Sequence, residues 1–217
     1  MLDLGVIEAS DAELSFPVVF VHKPGGHFRF CVDYRRLNER TVKDVYPIPR
    51  IDDCLESLGD ATVFSTRVCN AGYWQIPVAA EDRDKTTFTS HTSLFRFLRL
   101  PFSLVNELAS LQRARDIILS GLRWKTCMVY LEDVTVLSRN LDERIRHLRE
   151  VLLLLANAEN SLKSSKCHRL QQEVEYLGPV VRSGQLLVNE KNVKTLAQAL
   201  RPRKQTELKS FLGMCNV

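Results

Sequence analysis

The chain has 217 residues, 45% of them hydrophobic and 26% charged, which is enough apolar material for a sizeable core or two smaller ones. The formal charge of +4 leans basic and suits a polyanionic partner, though that lean alone selects no function. Six cysteines at long, irregular gaps with no CxxC pair exclude a zinc-finger spacing and a dense disulfide framework. The thiols are expected reduced and mostly interior, and Cys167-His168 lacks further ligands at metal spacing.

Met1-Leu2-Asp3-Leu4 has no basic leader, and the longest apolar run, Val151 to Ala156, is far short of the ~20 residues that span a bilayer. A soluble intracellular protein is expected, with no membrane partner and with cytoplasm or nucleus left open. Pro17 to His22 reads as a β-branched strand, Lys23 to His27 as a Gly-Pro turn, and Phe28 to Asp33 as a strand of period two. Tyr46-Pro47-Ile48-Pro49 must be extended, because proline restricts itself and its predecessor. Ile51, Cys54, Leu55 and Leu58 then fall at helical spacing, with Gly59 as the stop.

Val63 to Val68 and Tyr73 to Val78 read as strands with a bend between them, and Leu94 to Leu98 as another. Leu104, Leu108, Leu111, Ile118 and Leu122 mark one face of a helix. Cys127 to Tyr130 and Val134 to Leu137 are two apolar strands around an acidic tip, Leu131-Glu132-Asp133. Asn140 and Glu143 form a capping box for a helix whose expected buried face is Leu141, Ile145, Leu148, Leu152 and Leu155. Short strands at 174–177 and 185–188 and helices at 191–200 and 206–214 complete an α+β chain with a central antiparallel hairpin.

Several segments occur together in a telling order. They are Phe28-Arg29-Phe30-Cys31-Val32-Asp33-Tyr34-Arg35-Arg36-Leu37-Asn38, Tyr46-Pro47-Ile48-Pro49, Phe64 to Ile76, Tyr130-Leu131-Glu132-Asp133, Glu175-Tyr176-Leu177-Gly178 and Lys209-Ser210-Phe211-Leu212-Gly213. In this order and spacing the chain resembles the reverse transcriptase domain of gypsy-type (Metaviridae) LTR retrotransposon Pol polyproteins, in a degenerate copy.

The resemblance implies a right-hand polymerase fold. Residues 1–60 and 80–100 would be fingers, 61–79 and 101–180 palm, and 181–217 the start of the thumb or connection. It implies RNA-directed DNA synthesis by two-metal phosphoryl transfer, with RNA or DNA template–primer and dNTP as partners and two Mg²⁺ ions as cofactor. The RNase H and integrase parts of Pol are expected to be absent from this chain.

The same resemblance locates the departures. The first catalytic motif carries Val68 where the family has the aspartate that bridges both metals, and the Y-x-D-D box reads Tyr130-Leu131-Glu132-Asp133. Glu132 and Asp133 remain as the catalytic and metal-binding candidates, because hard cations take oxygen ligands. Loss of one bridging carboxylate implies at least about a thousandfold loss of rate, at tenfold for each ~1.4 kcal/mol. The family's P-F-G-L-x-N-A-P block is Pro101-Phe102-Ser103-Leu104-Val105-Asn106-Glu107-Leu108 here, so Ser103 replaces a glycine and Glu107 adds an acid where phosphates should lie. Arg67 would put a cation beside the catalytic position. The nucleotide-handling positions implied are Lys23 and Arg29, Tyr73 as steric gate, and Phe102 at the sugar. The alternative reading is a non-catalytic nucleic-acid-binding remnant or a decayed open reading frame.

Overall fold

The computed structural model describes the chain apart from residues 23–25, 27, 59–60, 69–71, 161, 163–166, 183–184, 200 and 216–217, and apart from the side chains of 66–68, 168–170 and 214–215. Its first sheet has the order β1-β6-β5-β2-β3, built from β1 (Ile7–Ala9), β2 (Phe16–His22), β3 (Phe28–Val32), β5 (Phe88–Thr89) and β6 (Leu94–Phe97). The period-two hairpin is in register, with Val18 opposite Val32 and Phe20 opposite Phe30. The turn at its tip lies largely outside the described residues, and Lys23 with it. Val6, Phe16, Val32, Tyr34, Phe88 and Phe97 form the core of this sheet, and Trp74 and Leu104 reach into it from later in the chain.

Two short helices, α1 (Arg35–Asn38) and α2 (Ile51–Glu56), flank the extended Pro-rich segment. A second sheet has the order β7-β8-β4-β9, from β4 (Val63–Val68), β7 (Cys127–Tyr130), β8 (Asp133–Ser138) and β9 (His168–Gln171). Strand alternation separates its two faces. Cys127, Val129, Val134 and Val136 pack with Val151 and Leu155, while Phe64, Met128 and Leu137 pack with Cys54, Leu58 and Tyr176. The helices on the first face are α3 (Glu107–Ile118) and α4 (Leu141–Asn157). Cys54 and Cys127 are buried, and burial pushes the Cys127 thiol up to about 12. A three-stranded meander, β10 (Glu173–Glu175), β11 (Val180–Arg182) and β12 (Gln185–Leu187), precedes α5 (Glu190–Ala197) and α6 (Gln205–Cys215). Among the described residues no helix is long and apolar enough to cross a membrane.

The Asn140 cap forms as expected, while the Glu143 carboxylate reaches one residue further back than a capping box has it. Glu143 N–H donates to Asn140 Oδ1 at 2.9 Å, and Glu143 Oε2 accepts from Arg139 N–H at 3.1 Å. Three expectations need correction. Tyr73 to Val78 is not a strand: Gly72–Gln75 is a 3-10 turn, closed by Ile76 N–H donating to the Tyr73 carbonyl at 3.0 Å, and Pro77 removes a ladder donor. The buried stripe of α4 is Arg144, Val151 and Leu155, with Leu148 half-buried beside them, while Leu141 and Ile145 are 56% and 54% exposed. The Arg144 guanidinium takes the inward place because its Nη1 donates to the Val136 carbonyl at 2.5 Å. The helix expected from Leu104 begins at Glu107, leaving Leu104 to pack on the first sheet. Its buried side carries Ala109, Leu111, Gln112 and Arg115, with Leu108 at 37% exposure.

Candidate functional site

Strands β7 and β8 meet in a two-residue turn. Tyr130 pairs with Asp133, so Leu131 and Glu132 are the turn, and Asp133 opens β8 rather than sharing the tip. Leu131 has φ +53°, a left-handed backbone that reverses the chain in so few residues. Asp133 and Thr135 alternate away from the face that carries Val134 and Val136.

On the neighbouring strand, Val68 lies directly opposite Asp133. Residues so opposed on an antiparallel pair have Cβ atoms about 4.5–5.5 Å apart. The backbone therefore holds position 68 where a carboxylate would stand beside that of Asp133. The side chains of Val68 and Arg67 lie outside the described residues, and with them the expectation of a cation at Arg67 beside the catalytic position.

Glu132 leans the other way, over the 3-10 turn. A Cβ added to Gly72 would sit 3.0 Å from Glu132 Oε1 and 3.1 Å from its Cγ, so a side chain at 72 would push the Glu132 carboxylate aside by a few tenths of an ångström. Tyr73 follows, buried, its ring 4.9 Å from Phe102 in an edge-on contact. Burial pushes the Tyr73 phenol up to about 12, with the charges of Glu107 and Glu132 adding to the shift. The Glu107 carboxyl is also raised, first by desolvation and further by Glu132, against the lowering effect of the Ser103 and Leu104 amides. The structure thus gathers Glu132, Tyr73, Phe102 and Glu107 on one side of the turn, with Asp133 and the backbone of Val68 paired beside them. Arg29 stands exposed on β3, opposite Val21, on a different sheet from the hairpin.

The loop carrying Phe102 is held by asparagines that sequence reasoning passed over. Asn38 Nδ2 donates to the Ser103 carbonyl at 2.8 Å, and Asn38 Oδ1 accepts from Val105 N–H at 2.9 Å. Asn106 accepts from Asp44 N–H and donates to the Val42 carbonyl, both at 2.9 Å. Ser103 itself has φ +77°, the left-handed region where glycine is at ease. The signal for Asn38 was present in the Arg-Arg-Leu-Asn segment, but a polar residue closing a short helix reads as surface. Beyond Asp133, a groove of about 990 Å³ runs from Thr135 to Tyr176, Asn189 and Lys191. Charge on its far wall is balanced, since Arg182 pairs with Glu173 and Lys191 with Glu175.

With this geometry in hand, comparison with known proteins gives concordant results. The family model described as reverse transcriptase (RNA-dependent DNA polymerase) matches residues 21–181. The retrovirus-related Pol polyprotein from transposon opus of Drosophila melanogaster is 37% identical over 219 residues, covering 99% of this chain and 22% of that protein. The Pol polyprotein from transposon gypsy of the same organism is 34% identical over 222 residues, covering 100% of this chain and 21% of that protein. The chain thus spans about a fifth of the length of these relatives. Among solved structures, the foamy viral protease-reverse transcriptase dRH in complex with double-stranded DNA superposes with a TM-score of 0.93 at 24% identity, covering 99% of this chain and 38% of that one. The same viral enzyme in complex with an RNA/DNA hybrid superposes at 0.89 and 23% identity, covering 99% and 29%. These likenesses establish the polymerase fold of a reverse transcriptase.

Proposed function

This chain belongs to the reverse transcriptase (RNA-dependent DNA polymerase) family, and on that premise we propose that it is the polymerase segment of a gypsy-type retrotransposon Pol polyprotein with its catalysis impaired. Residues 1–60 and 80–100 act as fingers, 61–79 and 101–180 as palm, and 181–217 as the start of thumb or connection. The template–primer lies along the groove between the acidic hairpin and the three-stranded sheet. The foamy viral relatives in complex with double-stranded DNA and with an RNA/DNA hybrid support template–primer binding as such. Contact is mainly to backbone phosphates, so binding is salt-sensitive and nearly sequence-independent. Tyr73 and Phe102 bound the sugar of an incoming nucleotide, and Lys23 and Arg29 serve its phosphates and base.

The residues present do not fit a pair of Mg²⁺ ions. Among the described residues no three His, Cys, Asp or Glu side chains converge on one point. The place opposite Asp133 belongs to Val68, which has no donor atom. Glu132 extends toward Gly72 and shares its surroundings with Glu107, so repulsion between carboxylates replaces convergence on a cation.

One observation carries this reading: Val68 and Asp133 remain in strand register, so the scaffold of the site persists while its ligand is gone. Primer extension on poly(rA)–oligo(dT) with Mg²⁺ or Mn²⁺ tests it, comparing the unaltered chain with Val68→Asp/Glu132→Asp. Silence from the first and extension by the second is the expected outcome. Extension by the unaltered chain overturns the impairment. If neither extends, retention of an RNA/DNA hybrid in a salt titration supports the non-catalytic binding remnant, and loss of binding as well refutes both readings.

A further inference from the structure

Gln112 is fully buried on α3, directly behind the acidic turn. Its Oε1 accepts from Leu131 N–H at 2.8 Å, while Nε2 donates to the Val129 carbonyl at 3.2 Å and to Asp116 Oδ1 at 2.9 Å. Only one orientation of the amide satisfies all three, because Leu131 N–H needs an acceptor while a carbonyl and a carboxylate need donors. Asp116 is itself held. Its Oδ2 accepts from the Tyr46 hydroxyl at 2.7 Å and from Arg123 Nη1 at 2.6 Å. The Arg113 guanidinium lies 4.7 Å from the Tyr46 ring centre and ties to Asp44, fixing the phenol in place.

We propose that Gln112 is the positioning residue of the acidic turn, and that Tyr46 and Asp116 lock it, coupling the Tyr46-Pro47-Ile48-Pro49 segment to Glu132 and Asp133. The turn holds Leu131 in a left-handed backbone, which is unfavourable for a non-glycine residue. An amide that grips Val129 on one side and Leu131 on the other spans the reversal and supplies what the turn lacks. Its neighbour Glu132 thereby keeps its place over Gly72. The functional consequence rests on the polymerase reading; the structural one does not.

Two arms keep those apart. The first is amide hydrogen exchange by NMR on the full chain, comparing Gln112→Met and Tyr46→Phe with the unaltered protein. Met roughly conserves volume and removes all three hydrogen bonds. We expect Leu131 to exchange at least about tenfold faster in Gln112→Met, the factor that ~1.4 kcal/mol of lost hydrogen bonding produces. Tyr46→Phe gives a smaller increase in the same direction, and the Val134 and Val136 amides keep their native rates in both. Unchanged Leu131 exchange, or acceleration shared equally by the whole hairpin, overturns the proposal, since a packing role alone predicts one of these. The second arm adds Gln112→Met to Val68→Asp/Glu132→Asp, where kcat for primer extension should fall about tenfold with the KM for dTTP unchanged. An unchanged kcat, or an effect confined to KM, also overturns the proposal. If Val68→Asp/Glu132→Asp does not extend primers at all, the polymerase reading fails, and the exchange arm still decides for or against Gln112.

Discussion

Replacing Ser103 by glycine should make the protein more stable, against the usual direction of such a change. Ser103 holds φ +77° in the loop that carries Phe102. An L-residue pays roughly 1–2 kcal/mol in that region, which glycine does not. Glycine in turn gives the unfolded chain more freedom, worth about 0.4–1 kcal/mol against folding. The net is a gain of about 0.5–1 kcal/mol, or a rise of roughly 1–4 °C in Tm for a chain of this size. The serine side chain is exposed, while the contact that fixes the loop, Asn38 Nδ2 to the Ser103 carbonyl, involves backbone that glycine keeps. Urea unfolding followed by circular dichroism, with the m-value unchanged, measures the difference. A lower midpoint for Ser103→Gly would refute the strain argument and imply that the serine hydroxyl makes a contact outweighing it.

Two further outcomes follow from the same loop. Asn38→Ala removes one donor and one acceptor bond to residues 103 and 105 and should cost about 1–2 kcal/mol in the same assay, with the loss growing if Ser103 is retained rather than relieved. Glu107→Gln should raise Tm at pH 7. A carboxyl whose folded value is raised binds its proton more tightly folded than unfolded, so ionisation opposes folding above that value and costs nothing below the ordinary 4.5. The advantage of Glu107→Gln is therefore expected at neutral pH and absent at pH 4, and an advantage that persists at pH 4 would assign it to packing instead.

What the sequence made legible was whatever depends on apolar periodicity or on a local motif. The hairpin Phe16 to Val32, the strand pair around the acidic dipeptide and the Asn140 helix cap all stand where period and motif place them. The failures share one cause, which is that hydrophobic patterning treats polar side chains as outward. Arg144 occupies the inward stripe of α4 and Gln112 and Arg115 that of α3, each paired to backbone or side chain inside the core. Counting only aliphatic side chains therefore rotated both helices toward solvent-exposed Leu141, Ile145 and Leu108. The strand expected at Tyr73 failed for a related reason, since two adjacent aromatics look like strand residues until Phe102, distant in sequence, offers a partner for a turn.

The site divides along the same line. Which residues flank the acidic turn was readable from motif order, but not which way each carboxylate leans. Asp133 heads β8 opposite Val68, and Glu132 turns back onto Gly72, so the two acids of one dipeptide face different neighbours. Restoring aspartate at 68 alone would then pair it with Asp133 while Glu132 stays beside Glu107. Glu132→Asp matters separately, because one methylene less withdraws the carboxylate from the contact with Gly72 and from the Glu107 charge. The two reversions therefore act on different faults, and each is expected to be insufficient without the other.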